Sequence, residues 1–450
     1  MVRSPWFRAA VAGLAVALAP LAPLAPAQNV TWNALSPTTP FPQRASTASA
    51  YDPVSGSLIV FGGFDASNYS SETWAFAGGN WTLLSPASSP PARAGATMAY
   101  DTVKSRLILF GGFDGLNYLG DTWIFDGATT TWTQATPTVS PPAVTGPTAF
   151  TDPSNGHVAV YGGYDGKFYQ LTTYRWTGSN WRKLNPTTSP SARSAGVVAL
   201  DPVHANVVLF GGLGSVNPDN TWLWDGTNWA PQNLLVQPPL RYYSQAAFDP
   251  HLGAVIAFGG GSGGTDLNDT WKWDGAQWVQ LHPGQVPPVR ESFVMAYDGA
   301  LDRVVVAGGE DGNTFLTDTW EFVDEGKFVD LGPGIGGALG PPTLSGSGDL
   351  SVGSTTGFTL AIDNALPSSP LLLLVSTTAS ALPFRGGTLY PFPIQLIVPL
   401  ATDGSGKASL SASIPAGTPS GIDIVLQAWL FDASAPRGAS GTNGIEAQVP

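Results

Sequence analysis

The sequence predicts an all-β protein, an array of repeated four-stranded units followed by a small β-sandwich. Three observations carry this. The dipeptide Gly-Gly recurs with its first residue at Gly62, Gly111, Gly162, Gly211, Gly259 and Gly308, at intervals of 48 to 51 residues. A period of about 50 residues marks propeller arrays, whose units cannot bury their own faces and must stack on their neighbours. Only 11% of residues are charged and 43% are hydrophobic, with 54 Gly and 40 Pro, a balance that suits many short strands joined by tight turns. Finally, the composition shifts near residue 332, where the repeat stops. At 450 residues the chain has room for two domains.

From the N-terminus, residues 1–27 read as a secretory signal: basic Arg3 and Arg8, an apolar stretch from Ala9 to Ala19, then Ala25-Pro26-Ala27 as a small-x-small cleavage site. Pro20, Pro23 and Pro26 interrupt this segment too early for a membrane anchor, and no later run is long enough to span. The expected location is extracytoplasmic: the bacterial periplasm, the cell surface or the medium.

Residues 28–331 hold the repeat. Ten residues before each glycine pair stands an aspartate (Asp52, Asp101, Asp152, Asp201, Asp249, Asp298), placed as the turn of a hairpin. The next strand ends in the glycines, which permit positive φ and close backbone approach. A first aromatic follows at Trp74, Trp123, Tyr174, Trp222, Trp271 and Trp320, and a second at Trp81, Trp132, Trp181, Trp229, Trp278 and Phe328. Each unit is therefore four strands, with large rings to wedge adjacent sheets together. Trp32 is an extra member of the outer column. Residues 30–35 are expected to supply the outer strand of the last unit, in competition with the strand carrying Phe328.

Residues 332–341 read as a Gly-rich linker. Residues 342–450, with short apolar runs such as Leu371 to Val375 and Ile422 to Phe431, read as a β-sandwich.

On these columns the chain resembles the kelch-repeat family, within the galactose oxidase central-domain superfamily. The resemblance implies a six-bladed kelch-type β-propeller over roughly residues 30 to 331 and no single activity, since the family includes binding scaffolds and some enzymes. The C-terminal part resembles accessory modules of secreted bacterial proteins.

Cysteine is absent, which excludes disulfides, thiol nucleophiles and the cysteine–tyrosine crosslink of copper galactose oxidase chemistry. Removing the signal lowers Lys+Arg from 19 to 17 against 32 acidic residues, moving the net charge from -13 to -15. Nucleic acid and anionic membranes are thereby poor partners. His157, His204, His251 and His282 have no metal-binding spacing. No cofactor or metal is expected.

In propellers the links between blades and the loops joining second to third strands open on one face. An arginine stands 18 residues before each glycine pair, at Arg44, Arg93, Arg193, Arg241 and Arg290, with Val144 in blade three. Such a ring can bind carboxylates or sulfates by forked hydrogen bonds, or it can bond backbone carbonyls at the blade junctions. The loops after the glycines carry Phe64-Asp65, Phe113-Asp114 and Tyr164-Asp165, with Tyr69, Tyr118 and Tyr169 further out. Exposed rings beside carboxylates suit sugars, and Asp-Gly turns with packed rings suit the repeat itself.

Blade six departs from its columns at Glu291 and Glu310, a candidate acid–base pair or a charge partner for Arg290. The expected ligand-binding residues are the five arginines with Tyr69, Tyr118, Tyr169 and Tyr242. The favoured reading is a secreted recognition protein that engages a glycan or an acidic peptide or protein. The alternatives are a carbohydrate-active enzyme, mutarotase- or hydrolase-like, that uses Glu291 and Glu310, and a structural protein of the cell envelope.

Overall fold

The computed structural model describes residues 30–215 and 220–324, and from 327 to 449 all but 333, 337, 338, 355, 356, 386, 392, 417, 419 and 420. The signal-like segment lies outside the described residues.

The repeat forms six four-stranded antiparallel sheets among the described residues. Blade one runs Ala48–Asp52, Ser57–Phe61, Thr73–Ala77 and Asn80–Leu84. The other inner strands are Thr97–Asp101, Thr148–Thr151, Val197–Asp201, Gln245–Asp249 and Val294–Asp298. The aspartate column ends each inner strand, or in blade three directly follows it, as expected: Asp101 Oδ1 accepts hydrogen bonds from the amides of Val103 (3.0 Å) and Lys104 (2.9 Å). This local bond lets the chain reverse without a glycine. Second strands are buried along all or nearly all of their length, as in Ser57–Phe61 and Arg106–Phe110, because neighbouring blades cover both faces.

Three belts of hydrogen bonds link each sheet to the next and return to the first. In the innermost belt, the amides of Ser46, Gly95, Gly146, Ala195, Tyr243 and Ser292 each donate to the carbonyl of the preceding member, Ser46 to Ser292, at 2.7 to 3.1 Å. Further out, the second glycine of each pair donates to the residue in the arginine column of the next blade, from Gly63 to Arg93 O (2.8 Å) round to Gly309 and Arg44 O (3.3 Å). The glycine is obligatory here. A Cβ on Gly63 would lie 2.6 Å from Thr47 Cγ2 and 2.9 Å from Ala45 O, and the backbone has φ +99°.

The third belt joins the outer tryptophans to the threonines of the preceding blade. Trp132 Nε1 donates to Thr73 Oγ1 (2.9 Å), Trp81 to Thr319 (2.9 Å) and Trp32 to Thr270 (3.1 Å). Trp32 therefore does in blade six what the other outer tryptophans do in theirs.

Strand Val30–Leu35 pairs with Thr319–Asp324 along its whole length, from Val30↔Asp324 to Leu35↔Thr319. This fills the outer edge of blade six. The competing strand, Lys327–Gly332, pairs instead with Gly444–Gln448, so the stretch counted with the repeat up to residue 331 belongs to the C-terminal sheet from Lys327 onward. Ile335, inside the expected linker, bridges Gly441 of the same region.

That C-terminal sheet has the order Lys327–Gly332, Gly444–Gln448, Asp423–Phe431, Pro370–Ser376, Leu396–Ala401. A three-stranded sheet (Thr343–Gly348, Phe358–Asp363, Ala408–Ala412) shares its core, which includes Leu344, Leu360, Ile362, Leu373, Ala428 and Leu430. Among the described residues no helix is long and apolar enough to cross a membrane.

Candidate functional site

The inner strands enclose an axial cavity of about 600 Å³, lined chiefly by small residues such as Ala48, Ala96, Ala149 and Gly196. At one end stands the innermost hydrogen-bonded belt. All six of its residues have left-handed backbones, φ 51° to 65°, which Ser46, Gly95, Gly146, Ala195 and Ser292 accept at modest cost. Tyr243 is the exception, a bulky residue at φ 51°.

The arginine column takes no part in this opening. Arg93, Arg193, Arg241 and Arg290 are fully buried, and their guanidinium groups point into the body of the blade. Arg241 Nη1 donates to Gly259 O (3.0 Å), and the fork grips both carboxylate oxygens of Asp269 (2.7 and 2.8 Å). Arg93 and Arg290 repeat the arrangement with Asp121 and Asp318. Arg44 bonds Glu72 (2.7 Å) and Ser70, and Arg193 bonds Gly211 O (3.0 Å) and Ser191.

The expectation of a ligand-binding arginine ring is thus corrected: four of the five are buried, and all five spend terminal guanidinium donors on groups of their own blade corner. A sequence signal existed. The acid lies 28 residues after its arginine in four blades, and where the arginine becomes Val144 the acid becomes Thr172.

Aspartates of the loop tips are also spent internally. Asp65, Asp114, Asp165 and Asp311 each accept two backbone amides of their own loop, for example Leu116 N (2.8 Å) and Asn117 N (2.7 Å) on Asp114. These bonds hold their carboxyls below the usual range.

Tyr69, Tyr118 and Tyr169 stand on the loops at this end of the ring, as half-buried members of an aromatic arc. Rings follow one another from Phe315 through Phe64, Tyr69, Phe113, Tyr118 and Tyr164 to Tyr169, with centroids 4.9 to 6.4 Å apart in tilted or edge-on contact. Two of these tyrosines also cover a neighbouring glycine: a Cβ on Gly115 would meet the Tyr69 ring at 2.9 Å, and one on Gly166 the Tyr118 ring at 2.4 Å. Beyond the arc, Leu116 and Phe168 stand at the loop tips of blades two and three, 88% and 60% exposed.

The opposite side, on blades five and six, is acidic. Glu291 and Glu310 are directly opposed across a short antiparallel bridge and exchange both backbone hydrogen bonds (2.9 and 3.0 Å). Their side chains therefore leave the same face, with Cα atoms about 5.5 Å apart in such pairs. Blade five complements them. Gly261 has no side chain where other blades carry Phe64 or Leu213, and a Cβ there would lie 2.1 Å from a Glu291 carboxylate oxygen and 2.6 Å from the Tyr242 ring.

Asp266 occupies the column of Tyr69, opposite Gly261. Burial, then Asp266 and Glu310, push the Glu291 carboxyl up to about 7. Burial, then Asp266 and Asp311, raise Glu310. Tyr242 meets Tyr243 edge-on at 5.7 Å, and burial followed by the charges of Glu291, Tyr169 and Glu310 raises the Tyr243 hydroxyl. Tyr243 and Asp266 were not among the expected residues. The first is visible as the one bulky member of a small-residue column.

Glu291 does not neutralise Arg290, whose fork is filled by Asp318. Among the described residues no group of three or more His, Asp or Glu side chains is arranged to hold a metal ion. His157, His204 and His251 sit by the hairpin aspartates at the other end of the blades; His157 bonds Asp101 (2.8 Å).

In comparison with known families, residues 25–212 fit the model of the KLHDC2/KLHL20/DRC7 Kelch-repeats domain. The curated proteins give no match. Kelch domains generally bind protein partners. Residues 25–212 are thus similar to the kelch-repeat family, which agrees with the double-glycine repeat and the four-stranded antiparallel sheets.

Proposed function

We propose that this chain is a non-catalytic recognition protein whose propeller takes a segment of a protein partner at the axial opening. The observation that carries the reading is the pairing of exposed Leu116 and Phe168 with the aromatic arc on one side of the opening. Exposed large apolar side chains beside packed rings suit a protein surface, where a few such anchors supply most of the binding energy. A sugar needs flat ring faces, and here Tyr69 and Tyr118 are covered by the next blade's glycines and meet their neighbours edge-on. In this reading residues 1–27 export the chain, and the region from Lys327 is a separate accessory module.

The test is a random peptide library selected on the full chain and on a Leu116→Ser/Phe168→Ser variant, both positions being exposed and tolerant of change. Peptides that bind the wild type and lose about tenfold or more on the variant support the reading. A selection that enriches nothing, or enriches peptides indifferent to the variant, overturns it.

A further inference from the structure

Partner specificity at this opening has a chemical signature of its own on blades five and six. Apart from Asp266, which adds its charge to the same spot, the carboxylates described above near this end of the ring are satisfied internally: Asp121, Asp269 and Asp318 by an arginine fork and an indole, and the loop-tip aspartates by two amides each. Glu291 and Glu310 differ. Among the described residues neither carboxylate receives a hydrogen bond or an ion pair, although both are partly buried and face each other across one bridge.

Like charges directly opposed on a strand pair are destabilising, so the protein carries a cost at this spot that an arriving cation would relieve. The two glutamates also stand where the repeat puts Ala45 or Thr145 and Phe64 or Tyr164. The vacated side-chain position at Gly261 gives the Glu291 carboxylate its place. Beside the pair, the perpendicular rings of Tyr242 and Tyr243 supply the aromatic faces that attract a desolvated cation.

We propose that the opening selects its partner through a cationic side chain, lysine or arginine, seated between Glu291 and Glu310 against Tyr242 and Tyr243. This deepens the protein-binding reading and rests on it. The sequence-based expectation of an acidic ligand is reversed, because the arginines that suggested it are buried and the carboxylates that replace them at the surface are unpaired. A partner segment would lay apolar residues on Leu116, Phe168 and the arc while its basic residue reaches blade six.

Oligolysine, oligoarginine and oligoglutamate peptides are titrated against the full chain at physiological salt, where exposed charges are screened beyond about 8 Å. The same titrations are run on Glu291→Gln/Glu310→Gln, on Tyr243→Ala, and on a charge-matched control in the C-terminal region, Asp363→Asn/Glu446→Gln. Ala195 stands in the column of Tyr243, so alanine is compatible with that backbone.

The expected result is binding of a basic homopeptide, weakened about tenfold or more by the paired glutamate substitution and by Tyr243→Ala, and unchanged in the control. The homopeptide that binds more tightly identifies the side chain. Equal weakening in mouth and control variants, indifference to the mouth variants, or preference for oligoglutamate would overturn the proposal. Library peptides that need Leu116 and Phe168 but contain no basic residue would overturn it too, while leaving the protein-binding reading intact.

Discussion

Arg241 illustrates what a buried charge does in this ring. Its fork satisfies Asp269 and a glycine carbonyl in the same blade, while its own carbonyl receives the Gly212 amide of the blade before. Arg241→Ala empties a buried cation site and leaves the partly buried Asp269 carboxylate without its partner, and should cost about 3 kcal/mol in urea unfolding. Arg44→Ala should cost less, about 1 kcal/mol, because its partner Glu72 is open to water. Equal losses at both sites would contradict this account. Glu291 acts in the other direction. Its carboxyl is raised from an ordinary 4.5 to about 7, so the folded state holds that proton more tightly than the unfolded chain does. The associated stability is present below about pH 4.5 and is lost as pH rises through about 7. Glu291→Gln should therefore melt higher than wild type at pH 8, by the order of 1 kcal/mol after screening by water, and match it near pH 4. Thermal melts at the two pH values check the sign.

Ring closure depends on one short strand. Val30–Leu35 fills the edge of blade six, and Trp32 ties it to blade five through Thr270 while packing on Phe258 and Phe322 at 5.1 and 4.9 Å. Trp32→Ala should cost about 3–5 kcal/mol. A chain beginning after Leu35 should expose the edge of Thr319–Asp324 and associate, visible as higher-order species in size-exclusion chromatography. A monodisperse monomer of wild-type stability would refute the closure argument. This element was legible in the sequence, because Trp32 obeys the same spacing as five other tryptophans. The fate of Lys327–Gly332 was not: its spacing also fits the repeat, and only the prior occupation of the blade-six edge sends it to Gly444–Gln448.

For the whole molecule, that strand sets where the C-terminal region starts. A fragment of residues 327–450 should fold with a higher melting temperature by circular dichroism than residues 342–450, which lack the partner of Gly444–Gln448. The same melting temperature for both would show that the strand is dispensable. The sequence by itself determined the all-β class, the repeat, the turns and the extra outer-column tryptophan, Trp32, since each is a matter of spacing along one chain. It also marked Glu291 and Glu310 as departures from their columns. What only the tertiary structure decided is which way each side chain faces once the sheets close on themselves. The arginines turn inward because an acid and a carbonyl in their own blade await them. Tyr242, Gly261 and Glu291 meet because adjacent blades bring together positions that no single repeat contains.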